Sequence, residues 1–166
     1  MNIAPTLQKY LVAQQADYEL IPHSHTESAH GTARAAHVPG ARVAKAVLVK
    51  DGQGYVLAVL PASRQVGLGQ LGSALGRESL QLAGEADLKQ TFADCALGAV
   101  PPLGAAYGLP VVLDVALAEQ PEVYFEAGDH EHVVHVSRSE FQRLMPDAAH
   151  ASFGEPNADG GGAWMQ

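Results

Sequence analysis

Cysteine is almost absent: Cys95 is the single one in 166 residues. No internal disulfide framework can therefore brace the chain, and one free thiol fits a reducing cytoplasm. Aromatic residues make up only 6%, so a core must come mainly from aliphatic side chains; a hydrophobic fraction of 47% is enough for one. No apolar run approaches the roughly 20 residues that cross a bilayer. The opening "MNIAPTLQKYLVAQQ" lacks a basic segment followed by an apolar block. Neither a membrane span nor a signal peptide is expected. Basic residues are also scarce, with 10 Lys and Arg against 18 Asp and Glu for a net charge of −8. That balance argues against indiscriminate nucleic-acid binding, to DNA included, because phosphate contacts need Lys and Arg. The shortage is uneven. Residues 31–89 hold seven Lys/Arg against four Asp/Glu, whereas residues 90–137 hold none against seven. A polyanionic ligand would have to approach the face built by the first half.

What is present reads as alternating short elements. Residues 4–15 have Leu7, Tyr10 and Leu11 on one side of an amphipathic helix. "DYELIPH" alternates as a strand, and a helix is expected from Ser28 to His37, ahead of Pro39-Gly40. "RVAKAVLVKDGQGYVLAVLPA", residues 42–62, is a hairpin whose turn chemistry is "DGQG". "RQVGLGQLGSALG" has helical spacing weakened by glycines; "SLQLA" follows as a strand and "GEADLKQTF" as a helix. "LGAVPPLGAAYGLP" is too rich in Gly and Pro for a regular element. "VVLD", "EVYFEAG" and "HVVHVS" are expected strands, and "SRSEFQRLM" a last helix capped by Ser137 or Ser139. From Pro146 the apolar content drops, so residues 146–166 are expected to be a mobile tail. Without a regular βαβ rhythm, the pattern points to an α+β fold with a mixed or largely antiparallel sheet.

Three stretches carry chemistry. Lys45 sits between Val43, Ala44, Ala46 and Val47, where an unpaired charge is costly. It can snorkel to water, pair with a carboxylate such as Glu126 or Asp114, or line a cavity for an anionic or carbonyl-bearing ligand. "GAVPPLG", Gly98 to Gly104, combines glycine's close approach with proline stiffness and can present fixed amide donors to an oxygen. "AGDHEHVVHVS", residues 127–137, puts His130 on a turn beside Gly128, where it can orient, donate or simply face water.

Together these stretches resemble the YbaK family of aminoacyl-tRNA deacylases, which is similar to the editing domain of bacterial prolyl-tRNA synthetase. The resemblance covers roughly residues 18–145 and rests on "HSHTES", "VAKAVLV", Gly98-x-x-x-Pro102 and Gly128-x-His130. It implies a compact single α+β domain, residues 1–145, around a mixed, mostly antiparallel, barrel-like sheet flanked by helices. It implies hydrolysis of the ester that joins a wrong amino acid to the 3′ end of a tRNA. Lys45 would reach toward that 3′ end, the Gly98 amide would sit near the reacting carbonyl, and His130 would help shape the amino-acid pocket. His25, Thr26, Ser28, Ala99, Pro102 and Gly128 are the accompanying substrate-binding candidates. The resemblance implies no cofactor, a cytoplasmic setting, a mischarged tRNA as partner, and a synthetase as a further candidate partner. Substrate-assisted chemistry, with the ribose hydroxyl orienting water, would explain the lack of a Ser/His/Asp set.

The residues also admit blander readings. His23, His25, His130, His132 and His135 could supply imidazoles, but H-x-H lacks a defined third ligand and no metal is expected. Cys95, with no His, Lys or Arg beside it, reads as a small hydrophobe. Ser28 can simply cap its helix, and Tyr107 and Tyr124 read as packing residues. A non-catalytic module binding tRNA or a small ligand with the same fold is the alternative to an enzyme.

Overall fold

The computed structural model describes residues 3–26 and 28–156. In chain order its first elements are α1 (Pro5–Ala13), β1 (Glu19–Pro22), α2 (Ala29–Ala35), β2 (Val43–Asp51), β3 (Gly54–Pro61), β4 (Arg64–Val66) and α3 (Leu68–Leu75). Then come β5 (Gln81–Leu82), α4 (Glu85–Thr91), β6 (Val111–Asp114), α5 (Val115–Ala118), β7 (Glu122–Glu126) and β8 (His132–Ser137). The described chain finishes with α6 (Arg138–Arg143), β9 (Ala149–Ala151) and β10 (Gly154–Pro156). Short 3-10 turns occupy Gly40–Arg42 and Gly104–Tyr107.

The hairpin of β2 and β3 forms where valine-rich runs flank a two-residue turn. Asp51 pairs with Gly54, Gly54 takes φ +132°, and Asp51 Oδ1 accepts from the Gln53 amide at 2.7 Å. That is Asx-turn chemistry. This hairpin is the centre of the main sheet, ordered β1-β8-β7-β2-β3-β6-β9 with β5 also on β2. The β2/β7, β3/β6 and β6/β9 pairs are parallel, and the other pairs of this sheet are antiparallel. The fold is α+β with one large mixed sheet, mostly antiparallel, flanked by helices. Among the described residues its path runs from β1 to β9.

One core packs α1, through Leu7 and Leu11, with α6, through Phe141 and Leu144, against Phe125, Val134, Leu57 and Leu113. A second gathers Val49, Val56, Leu60, Leu71, Val112 and Phe153 beneath α3. Each central strand is thus apolar toward both faces, which is why β2 and β3 read as continuous valine-leucine runs rather than as alternation.

Two expectations are corrected. Residues 64–76 do not form one helix: β4 ends at Val66, and α3 starts only after Gly67, whose amide bonds the Phe153 carbonyl at 2.8 Å. The segment from Pro146 is not a tail as far as residue 156. β9 pairs with β6 and β10 with β4, and Phe153 between them is 1% exposed. Burial of that aromatic ring anchors an otherwise polar segment. Residues 157–166 lie outside the described residues. Ser137 rather than Ser139 caps α6, accepting from the Glu140 amide at 3.2 Å.

Ion pairs fasten the peripheral elements. Arg77 holds both oxygens of Asp51 and so pins the segment after α3 to the hairpin; it keeps the Asp51 carboxyl at about 2. Asp87 is held at about 2 first by the Tyr55 hydroxyl and then by Lys50, and Glu140 at about 2 chiefly by Arg143. Carboxyls depressed in the folded state contribute stability above their unfolded pKa of roughly 4, and lose it as pH falls toward the folded value. Chemical denaturation midpoints should accordingly drop between about pH 4 and pH 2. Arg77→Gln should start lower at neutral pH and decline less steeply over that window; an unchanged slope would mean Asp51 contributes nothing.

Candidate active site

Along one edge β2 is paired with β3 from Ala44 to Asp51. Its other edge is shared: β7 pairs only with Val43 and Ala44, and β5 only with Val49 and Lys50. Ala83 adds a bond from its amide to the Leu48 carbonyl at 2.9 Å. Between those two neighbours, residues 45–47 have no strand partner on this side among the described residues. A cleft of about 190 Å³ opens there, lined by five consecutive residues, Ala44 to Leu48, with Ala29, Leu82, Leu88, Gly98, Val100 and Glu126. Successive strand side chains point to opposite faces. Five in a row can therefore line one cleft only if it runs along the strand edge.

Lys45 answers its own puzzle here. The residue is 5% exposed, so the ammonium does not snorkel out to water. Neither Glu126 nor Asp114 lies at ion-pair distance from it among the described residues. Its Nζ donates to the Arg64 carbonyl, and the residue lines the cleft. Burial pulls the ammonium down to about 8, because desolvation disfavours the charged form.

Gly98 lines the same cleft with φ +84°, a backbone conformation glycine reaches without strain. The preceding carbonyl, Leu97 O, accepts from His130 Nε2. His130 is 4% exposed and has φ +63°. It does not line the cleft; it stands behind the Gly98 loop. Gly128 belongs to the same brace. Its carbonyl takes the Ala96 amide at 2.8 Å, and at φ +104° an added Cβ would stand 2.8 Å from Ala4 Cβ.

The remaining candidates are placed as follows. Ser28 caps α2, its Oγ accepting from the Gly31 amide at 3.0 Å, and so sets Ala29 against the cleft. Thr26 bonds Thr32, Oγ1 to Oγ1, at 2.8 Å. His25 is half-exposed and tilts onto the His130 ring at 5.1 Å. Ala99 and Pro102 are buried in the loop and do not line the cleft. Lys45 and Gly98 are thus brought together, with the other candidates behind or beside them.

Sequence reasoning named Glu126 only as an ion-pair partner for Lys45, and it missed Thr32. Glu126 is 5% exposed and lines the cleft. Its Oε2 accepts from Thr32 Oγ1 at 2.5 Å and lies 3.0 Å from His23 Nε2. His23 Nδ1 donates to the Ser24 carbonyl at 2.6 Å, so its Nε2 is turned to the carboxyl. Burial raises the Glu126 carboxyl above its usual range. Its sequence signal was a carboxylate ending an apolar strand two residues before the Gly128 turn.

The other histidines are tied elsewhere. His132 bonds Asp129 and His135 bridges Glu19 and Glu122, each at 2.6 Å. Among the described residues no three His, Cys, Asp or Glu are placed to hold a metal ion, and no helix is long and apolar enough to cross a membrane. Cys95 meets Tyr107 and Asp94, and burial pushes its thiol up to about 12. Tyr107 packs on Phe92 at 4.7 Å, and Tyr124 stacks on His135 at 4.3 Å.

This architecture has relatives. The chain is 29% identical over 140 residues to the multifunctional Ser/Thr-tRNA deacylase ProXp-y of Escherichia coli K12, covering 81% of this chain and 83% of that protein. A crystal structure described as a candidate trans-editing enzyme for prolyl-tRNA synthetase superposes with a TM-score of 0.78 at 24% identity, over 92% of this chain and 96% of that one. The hypothetical protein APE2540 does so with a TM-score of 0.80 at 19% identity, over 90% and 99%. Residues 23–144, which contain the cleft, its lysine and the braced glycine loop, match the aminoacyl-tRNA editing domain, and the chain belongs to that family.

Proposed function

We propose that this protein is a trans-acting aminoacyl-tRNA deacylase that removes a small, wrongly attached amino acid from the 3′ end of tRNA. The observation that carries the reading is the shared cleft of Lys45 and Gly98. A buried ammonium without a carboxylate partner is expensive to keep, and a ligand with anionic or carbonyl oxygens gives it a purpose. At about 190 Å³ the cleft is smaller than the roughly 300–1,000 Å³ typical of drug-sized ligands. That size suits an aminoacyl group rather than a whole nucleotide. Ala29, Ala44, Ala46 and Val100 keep its walls small. The similarity to a Ser/Thr-tRNA deacylase agrees with small substrates.

In the reaction, water adds to the ester carbonyl, the tetrahedral oxyanion collapses, and the ribose oxygen leaves with a proton. The C=O and N–H of one trans peptide point in opposite directions. His130 holds the Leu97 carbonyl, which turns the Gly98 amide of that same peptide away from His130. That amide is the donor proposed for the oxyanion, and such a donor is worth about 10²- to 10³-fold in rate. His130 is then a positioning residue. Lys45 holds the 3′-terminal nucleotide, whose neighbouring ribose hydroxyl orients the water. No protein nucleophile is needed, and the Cys95 thiol is kept protonated. A tRNA substrate implies a cytoplasmic setting, and with a net charge of −8 a synthetase that presents the charged tRNA is the fitting partner.

Purified protein incubated with a panel of mischarged tRNAs tests this directly: ester loss is expected for small amino acids. Binding without turnover would instead identify a non-catalytic module. Lys45→Met should lower kcat/KM by about 10²-fold while leaving the denaturation midpoint at neutral pH equal or higher, since a buried unpaired charge has been removed. The sign with pH follows from the same burial. The folded ammonium loses its proton near 8 and the unfolded one near roughly 10.4. The unfolded chain therefore binds more protons between those values, and wild-type stability should rise with pH there. Lys45→Met should lack that rise. Enzymatic acceleration over spontaneous ester hydrolysis should decline above about pH 8. Gly98→Ala and His130→Ala should each reduce kcat more than they raise KM; unchanged turnover in both would remove the Leu97–Gly98 peptide from the mechanism.

A further inference from the structure

Glu126 is a buried carboxylate with one satisfied oxygen. Oε2 accepts from Thr32 Oγ1 at 2.5 Å, which fixes the orientation of the group, and His23 Nε2 stands 3.0 Å from it. Oε1 is buried without a hydrogen-bond partner among the described residues, and the residue lines the cleft. An orphaned carboxylate oxygen in such a place calls for a donor, since buried polar groups are otherwise paired. Lys45 does not supply it. The two groups line the same cleft without forming an ion pair among the described residues.

We propose that Glu126 receives, through Oε1, the α-ammonium of the aminoacyl group. The inference rests on the deacylase reading and adds what determines the substrate's orientation. An aminoacyl ester at the 3′ end carries a cation on the amino-acid side of the reacting carbonyl and phosphodiester anions on the nucleotide side. In this proposal Glu126 takes the first and Lys45 the second. Entry in the reverse sense would set ammonium against ammonium. Glu126 thereby selects a free amino acid over its N-acylated form, whatever the side chain. Thr32 is a positioning residue that keeps Oε2 occupied and leaves Oε1 for the ligand.

The test uses alanyl, seryl and threonyl adenosine analogues with an unhydrolysable 3′-amide link, each with a free and an N-acetylated amine, titrated into the intact protein by calorimetry. Wild type should bind at least one free-amine analogue about tenfold or more tightly than its acetylated form, the loss expected for a hydrogen bond between charged groups. Glu126→Gln should abolish that difference while binding the acetylated form as wild type does. If Glu126→Gln does not fold, Glu126→Asp should lose more affinity for the free amine than for the acetylated form. Equal affinity of wild type for both forms, equal weakening of both by either variant, or no binding of any free-amine analogue overturns the proposal. Turnover of the corresponding charged tRNAs separates the two readings. Amine discrimination without hydrolysis sinks the deacylase and leaves Glu126 its role; hydrolysis without discrimination does the reverse.

Discussion

The arrangement depends on β2 being only partly paired along one edge. Interior strands normally satisfy both rows of backbone groups. Here β7 leaves after Ala44 and β5 arrives at Val49, so a break lies beside the most central hairpin of the sheet. The break is tolerable because β3 holds the other edge without interruption, and because the residues flanking it, Val43 and Val49, are fully buried. A well-packed frame can carry an opening of this kind; an isolated strand could not.

Placing Lys45 at that opening has an electrostatic consequence. Its stem leaves an apolar strand and its ammonium rests on the Arg64 carbonyl, a neutral acceptor that leaves the charge uncompensated. Glu126, which lines the same cleft, is likewise held by a hydroxyl rather than by a lysine or arginine. Both groups are shifted by burial in the direction that disfavours charge. Such local sacrifices of stability are characteristic of functional sites.

Much of this was legible in the residues. The β2–β3 hairpin could be read from its turn and its valine-rich runs, and Lys45 stood out because the run around it is apolar. The break after Gly67 was obscured because Val66, Leu68, Leu71 and Leu75 keep helical spacing across it, and only the bond to the Phe153 carbonyl ends the strand. β9 and β10 are three-residue strands of Ala, His, Gly, Glu and Pro, ordered by a single buried phenylalanine. No local pattern announces them. The Glu126 cluster joins residues from the segment after β1, from α2 and from β7; its meaning arises only when those elements meet. The place of His130 was similarly hidden, since its partner is a main-chain carbonyl 33 positions away.

Part of the cleft's lining comes from a light part of the structure. β5 is two residues long and both are exposed, and α4, which contributes Leu88, is moored to the hairpin mainly by Asp87 through Lys50 and Tyr55. Neither core relies on this segment for its large fully buried side chains beyond Phe92. Substitutions or short insertions between residues 79 and 92 can therefore widen or narrow the aperture at little cost to folding. Descendants of one scaffold could diverge in the acyl groups they accept by remodelling that flap, while the lysine strand and the braced peptide stay untouched.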